Sequence, residues 1–255
     1  MLKSITKTNS ALEIRNLNLR IFQEPILHNI NMEIQANTIT GLIGGSGSGK
    51  STLFKTILQI QLPHYANISG EFFFFGDKLN GKNRKFIQPV FQDPIGYFNP
   101  KWSLRKILCE PLEINLNLSD KEKEIRITSL IEEFGFKPDI LDKNIREFSG
   151  GEMQRFAILR AILAEPKIIL MDEPVSALDP LVQKDVVLFI KNIQKSKNLT
   201  ILFISHDIEI VGWLCEKVYV MRNGQIVEHG KSNRIFNSPT HEYTKTLIGS
   251  AYPSC

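Results

Sequence analysis

Thr38-Ile39-Thr40-Gly41-Leu42-Ile43-Gly44-Gly45-Ser46-Gly47-Ser48-Gly49-Lys50-Ser51-Thr52 decides how this chain is read. Its first part, Thr38–Ile43, is an apolar run of strand length. Its second part fits G-x-x-x-x-G-K-[ST] over Gly44–Ser51. Glycines let consecutive backbone N–H groups turn inward without Cβ clashes. Lys50–Ile60 continues as a helix, whose positive dipole end adds to those N–H groups. Strand, glycine turn and helix N-terminus together form a cradle for phosphate. Lys50 would reach the β- and γ-phosphates of a nucleotide, and the Ser51 hydroxyl would ligate Mg²⁺. Gly44, Gly45, Ser46, Gly47, Ser48, Gly49, Lys50, Ser51 and Thr52 are the expected nucleotide-binding residues.

Further along, Ile168-Ile169-Leu170-Met171-Asp172-Glu173 is an apolar strand ending in two carboxylates. Asp172 would hold the Mg²⁺ shell, and Glu173 would orient and polarise an attacking water as general base. Ile168–Met171 and Ile201–Ile204 are short continuous apolar runs, as buried parallel strands require, with a helix over Pro180–Gln194 between them. Before this βαβ unit lies a mostly helical stretch. Ser119 and Glu122 form a capping box there, and Ile127, Leu130, Ile131 and Phe134 recur on one helical face. Nearer the start, Leu12-Glu13-Ile14 and Ile30-Asn31-Met32-Glu33-Ile34 alternate as antiparallel strands with one wet face. Glu71–Phe75 is a further strand, ended by Gly76-Asp77.

The bulk properties narrow the class. The chain has 255 residues, 42% hydrophobic and 23% charged, with a formal net charge of +4. Such a composition is ordinary for a globular protein. The mild basic excess shows no dense Lys/Arg stripe with interleaved aromatics, so no nucleic-acid partner is expected. Cys109, Cys215 and Cys255 form no CxxC and no zinc spacing, and read as two buried thiols and one near the end of the sequence. No apolar run approaches the ~18–20 residues needed to span a bilayer. Met1–Ser10 carries Lys3 and Lys7 but no apolar stretch, so no signal peptide is expected there.

Phe148-Ser149-Gly150-Gly151-Glu152-Met153-Gln154-Arg155 opens another helix, running from Gly151 through Leu163, with Ser149 and Glu152 as a capping box. Its two glycines would bare the helix N-terminus to an anion. The order of phosphate loop, Ser-Gly-Gly helix and apolar strand ending Asp-Glu resembles the ATP-binding cassette (ABC) family, whose signature is LSGGQ. Phe148 and Glu152 are departures from that signature. Gln92, in Val90-Phe91-Gln92-Asp93-Pro94, matches the family's Q-loop. Ser176-Ala177-Leu178-Asp179 matches its D-loop, and His206, in Ser205-His206-Asp207, its switch histidine.

The resemblance implies an α/β fold: a P-loop NTPase (RecA-like) core with an antiparallel β subdomain and a helical signature subdomain. The cassette would cover residues 11–250, with the helical part at about 98–163 and short tails at 1–10 and 251–255. It implies ATP hydrolysis by two ATPase subunits closing head to tail, homodimeric or heterodimeric. In that arrangement Ser149, Gly150 and Gly151 of one subunit would cap the nucleotide held by the other. Glu173, His206, Lys50 and Gln92 would be catalytic, and Ser51, Gln92 and Asp172 would serve the metal. The aromatic that stacks on adenine is expected at Ile21 or its neighbour Phe22, of which Phe22 carries the ring.

Phe91-Gln92-Asp93-Pro94, Asn99-Pro100 and Glu110-Pro111-Leu112 resemble the oligopeptide/dipeptide/nickel importer branch. So does the ending Gly224-Gln225-Ile226-Val227-Glu228-His229-Gly230 with Ile235-Phe236, Pro239 and His241-Glu242-Tyr243-Thr244, where Glu242 stands at a usual Pro. That ending reads as a strand plus a docking helix over Thr240–Gly249, marking a lineage rather than a chemical group. The branch implies integral-membrane permease subunits, docked on the Ile95–Leu112 surface, and an extracytoplasmic substrate-binding protein. It places the chain peripherally at the cytoplasmic face of the cell membrane, with peptides or nickel and metal chelates as cargo. The cysteines lack the grouping of an iron–sulfur site. Soluble cassette proteins of DNA repair or translation fit poorly, since neither a long coiled coil nor a second cassette is present. Exporter motors, the other alternative, are usually fused to membrane helices or lack the His-x-Tyr-Thr ending.

Overall fold

A computed structural model describes residues 9–94 and 96–251. Ile95, Cys255 and residues 1–8, on which parts of the expectations fall, lie outside the described residues.

Strands β1 (Ser10–Ile21) and β2 (Glu24–Gln35) form an antiparallel hairpin. Leu27, Ile30, Met32 and Ile34 face inward, while Asn29, Asn31, Glu33 and Gln35 face water. The three-residue step from Leu27 to Ile30 comes from Asn29, which sits at φ 46° where the β1–β2 register shifts. Such a bulge admits one extra residue without turning the apolar face outward. β3 (Ile39–Ile43) is wholly buried and runs into the glycine loop and α1 (Lys50–Leu58). This helix stops two residues short of its expected end, because Gln59 turns left-handed at φ 55°.

β4 (Ala66–Phe74) pairs along β1. It begins five residues before the expected Glu71, since Ala66–Gly70 is polar and carries Gly70 at φ 111°. A Cβ there would come within 2.7 Å of the Asn16 carbonyl oxygen, so the crossing demands glycine. β5 (Asp77–Lys78), α2 (Gly81–Arg84) and β6 (Ile87–Val90) follow. Next come α3 (Leu104–Asn115), α4 (Asp120–Glu133), two 3₁₀ turns and α5 (Gly150–Leu163). The Ser119–Glu122 and Ser149–Glu152 capping boxes both form.

The remaining elements are β7 (Ile168–Asp172), α6 (Pro180–Lys197), β8 (Thr200–Ile204), α7 (Ile208–Leu214), β9 (Lys217–Arg222) and β10 (Gln225–Lys231). Helices α8 (Ser232–Asn237) and α9 (Glu242–Ala251) complete the described chain.

One sheet has the order β2-β1-β4-β5, and the other β10-β9-β3-β8-β7-β6. In the second, β9, β3, β8, β7 and β6 are parallel neighbours and β10 is antiparallel. Ile168 and Leu170 of β7 enter the core shared with the antiparallel sheet and α1. Ile169 and Met171 enter the core under α3 to α7. A strand covered on both faces needs an unbroken apolar run, which is why Ile168–Met171 shows no alternation. The architecture is that of a P-loop NTPase with an antiparallel β subdomain, as expected. Cys215 is buried, whereas Cys109 is only half-buried, on the side of α3 facing Glu113.

Candidate functional site

Parallel neighbours end on the same edge of a sheet, and ligands bind at that edge. Leu42 of β3 and Asp172 of β7 are both in register with Ile204 of β8, so three strand ends stand abreast. The glycine loop leaves β3, Asp172 and Glu173 leave β7, and Ser205-His206 leaves β8. Backbone bonds extend the alignment: the Ser205 N–H donates to the Leu42 carbonyl and the Glu173 N–H to that of Ile204.

The helix beyond the loop is left open at its start. Gly49, its N-cap, sits at φ 105°, no side chain caps the first turn, and that turn contains no acidic residue. Its orphan N–H groups therefore await an anion. Ser46–Thr52 line a cavity of about 500 Å³ together with Pro25, Ile26, His28, Glu173, Asn223 and Gly224. The Ser48 hydroxyl is buried there without a partner among the described residues. Gly44 and Gly45 do not line the cavity but stand behind it. A Cβ on Gly44 would lie 2.2 Å from the Met221 carbonyl oxygen. A larger depression, about 990 Å³ beside Trp213 and Phe236, contains none of the residues expected to bind nucleotide or metal or to be catalytic.

Lys50 is 6% exposed. Its ammonium folds back, with Nζ 2.8 Å from the Gly44 carbonyl and 3.1 Å from that of Gly45. Burial pushes its pKa down, opposed by Glu173 and Asp172. The Ser51 hydroxyl donates to Asp172 Oδ1 at 3.2 Å. Burial pushes the Asp172 carboxyl up, against the hydrogen bond from Ser51, with Glu173 adding to the rise and Lys50 opposing it. A buried cation and a half-buried carboxylate, each penalised by desolvation, would suit a ligand carrying both polyphosphate and divalent metal. Among the described residues no group of three or more His, Cys, Asp or Glu could hold a metal. A cation at Ser51 and Asp172 would thus complete its shell with phosphate oxygens and water, which is the habit of Mg²⁺.

Glu173 takes the left-handed backbone conformation at φ 49°. That costs a branched or bulky residue energy and is held here by the surrounding bonds. Its carbonyl accepts from the Ser176 N–H and hydroxyl. Glu173 Oε2 lies 2.8 Å from His206 Nδ1.

Other expected residues are not brought to the cavity. Gln92 is exposed beyond β6, where Gln154 of α5 donates to the adjoining Phe91 carbonyl at 3.3 Å. Ser149 and Gly150 are exposed at the start of α5, with Ser149 bonded to Glu152. Gly151 is buried, and a Cβ on it would come 2.3 Å from Val182 Cγ1 of α6. That close approach leaves no room for a side chain at this position. Phe22 is 71% exposed and stacks on Tyr65 at 4.1 Å between ring centroids. It lines a shallow depression that shares Ile26 with the phosphate cavity.

One contact lies outside every expectation drawn from residue type and order. The Tyr243 hydroxyl accepts the Gly45 N–H at 2.8 Å. The ending expected to mark only a lineage thus touches the phosphate loop.

The family model described as "ABC transporter" matches residues 27–176. The chain is 36% identical to the oligopeptide transport ATP-binding protein OppF of Bacillus subtilis, over 96% of this chain and 83% of that protein. It is also 36% identical to the dipeptide transport ATP-binding protein DppF of Lactococcus lactis, over 96% and 82%. Against the ABC transporter ATP-binding protein YejF of Escherichia coli the identity is 36%, but the chain spans only 43% of that protein's length. Among solved structures, cbiO1 of Clostridium perfringens, part of the ABC transporter complex cbiONQ, superposes with a TM-score of 0.81. Identity there is 28%, over 96% of this chain and 97% of that one.

Proposed function

The chain belongs to the ABC transporter family, and from that premise we propose that it is the ATP-hydrolysing subunit of an importer for peptides. One observation carries this reading: Ser51, Asp172, Glu173 and His206 stand at one sheet edge, joined as the pairs Ser51–Asp172 and Glu173–His206. The peptide cargo follows the names of OppF and DppF.

The loop amides and Lys50 hold the triphosphate, with Lys50 leaving the Gly44 and Gly45 carbonyls to do so. Ser51 and Asp172, with Gln92, would hold Mg²⁺, which neutralises charge on the β- and γ-phosphate oxygens. Glu173 takes a proton from the water that attacks the γ-phosphorus. The bond from phosphorus to the β–γ bridging oxygen breaks and ADP departs. His206 keeps the Glu173 carboxylate in place. Ser149 and Gly150 reach the γ-phosphate of a second ATPase subunit from the start of α5, with Gly151 packing that helix end. Phe22 offers the ring face not covered by Tyr65 to adenine.

Among the described residues no helix is long and apolar enough to cross a membrane. In the proposed importer, permease subunits connect this chain to the cytoplasmic face of the membrane, and an extracytoplasmic binding protein delivers the cargo. The test is ATP hydrolysis by the complete complex in lipid vesicles supplied with its binding protein. Stimulation by short peptides supports the reading. Stimulation by a nickel chelate alone, or hydrolysis indifferent to both, overturns the cargo.

A further inference from the structure

Tyr243 is the first residue after Glu242, which opens α9, and it is tied to two parts of the molecule. On one side its hydroxyl accepts the Gly45 N–H at 2.8 Å, across 198 residues of sequence. The Arg222 guanidinium covers its ring at 4.8 Å from the centroid. On the other side, α9 is pinned by Glu228 of β10. The Glu228 side chain is 4% exposed. Its carboxylate accepts from the Thr240 N–H at 2.9 Å, the Thr240 hydroxyl at 2.7 Å and the His241 N–H at 3.0 Å. The start of α9 is therefore a fixed platform.

The Gly45 N–H is a loop amide bonded to a side chain from outside the loop, whereas the Ser48 N–H turns back to the Gly45 carbonyl at 3.2 Å. The Gly44 and Gly45 carbonyls are held by Lys50. That hold ends when Lys50 turns to a phosphate. The bond from Gly45 to Tyr243 does not involve Lys50, so it survives the turn. A second brace, from the Gly224 N–H to the Ser48 carbonyl at 2.9 Å, steadies the far side of the loop. A loop fixed before binding loses less conformational freedom on binding.

We infer that Tyr243 is a positioning residue of the phosphate loop, holding Gly45 so that the loop keeps its nucleotide-receiving shape while Lys50 moves. This rests on the ATP-binding reading above and assigns a part to the chain's last described helix. Removing the hydroxyl leaves a half-buried N–H without its acceptor, a loss corresponding to roughly a threefold to tenfold weaker affinity.

The experiment compares wild type with Tyr243→Phe, which keeps the ring under Arg222. A fluorescent ATP analogue gives Kd with Mg²⁺, steady-state hydrolysis gives KM and kcat, and thermal unfolding is followed without nucleotide. Expected are a Kd and KM raised about threefold to tenfold, kcat within about twofold and an almost unchanged melting temperature. A Kd within about twofold of wild type overturns the inference, as does a loss confined to kcat. A wild type that binds no ATP sinks the nucleotide reading itself. Amide hydrogen exchange on wild type is the second measurement, independent of the variant's folding. The Gly45 amide should exchange more slowly than that of Gly47, and equal exchange overturns the inference.

Discussion

His206 Nδ1 lies 2.8 Å from Glu173 Oε2, although the two residues leave different strands. The imidazole is more than half exposed and the carboxylate is mostly covered, so the histidine closes the open side of the pair. Glu173 reaches this position from a left-handed backbone, at φ 49°. A carboxylate held so firmly could act on water without first finding its rotamer. His206→Ala should lower kcat by about a hundredfold, the lower end of general-base effects, while leaving KM for ATP within a few-fold. Steady-state hydrolysis separates the two constants. A rise in KM with kcat intact would place His206 in binding instead.

Asp172 takes its hydrogen bond from Ser51 at 3.2 Å, and burial raises its pKa. Asp172→Asn keeps an oxygen for the Ser51 hydroxyl but removes the charge. Nucleotide should still bind without Mg²⁺, while the gain from added Mg²⁺ disappears. Turnover should fall at least about a hundredfold, since a metal supplies several kcal/mol of charge stabilisation. A titration of Mg²⁺ at fixed ATP reads both effects.

Glu152 sits in the first turn of α5, and its carboxylate takes both the N–H and the hydroxyl of Ser149. Those bonds hold its pKa below the usual carboxylate range. A negative charge there supports the helix by about 0.3–1 kcal/mol but repels a phosphate brought to the same end. Glu152→Gln keeps an oxygen for the Ser149 N–H. It should lower the melting temperature slightly and halve, or more, the ATP concentration giving half-maximal activity. The opposite signs make the test sharp. An unchanged ATP requirement would mean that the start of α5 meets no phosphate.

Glu228 predicts a pH dependence. Burial pushes its carboxyl up, but the Thr240 N–H, the Thr240 hydroxyl and the His241 N–H together bring its pKa down to about 2, from the ordinary 4.5. The folded value is the lower one. Its stabilisation is therefore complete above 4.5 and is lost as the pH falls towards 2. The melting-temperature gap between wild type and Glu228→Gln should be constant near neutrality and shrink in that acid window. A gap that widens with acid would contradict the assignment.

Much of this was legible along the chain. β3, β7 and β8 are covered on both faces, so their apolar runs are continuous and short. The capping boxes at Ser119 and Ser149 depend on residues three apart, which a sequence displays directly. The first half of β4 was hidden, because its pairing with β1 runs through polar Asn67 and Ser69 and around Gly70. Within the candidate site, the loop and the Asp172-Glu173 pair announce themselves through residue type and order. The Tyr243 contact does not, since a hydroxyl 198 residues from Gly45 meets it only through the packing of α9. The sheltered place of Gly151 against Val182 is equally a matter of packing.

The central claim is that Glu173 is the base of an ATP site completed by a second ATPase subunit. The most direct measurement is retention of labelled nucleotide by the Glu173→Gln complex, assembled with its partner ATPase and given Mg-ATP, followed by sizing. The account predicts unhydrolysed ATP held in a closed pair of ATPase subunits while wild type releases ADP. Release of ADP at the wild-type rate, or ATP-loaded subunits that remain separate, would contradict it.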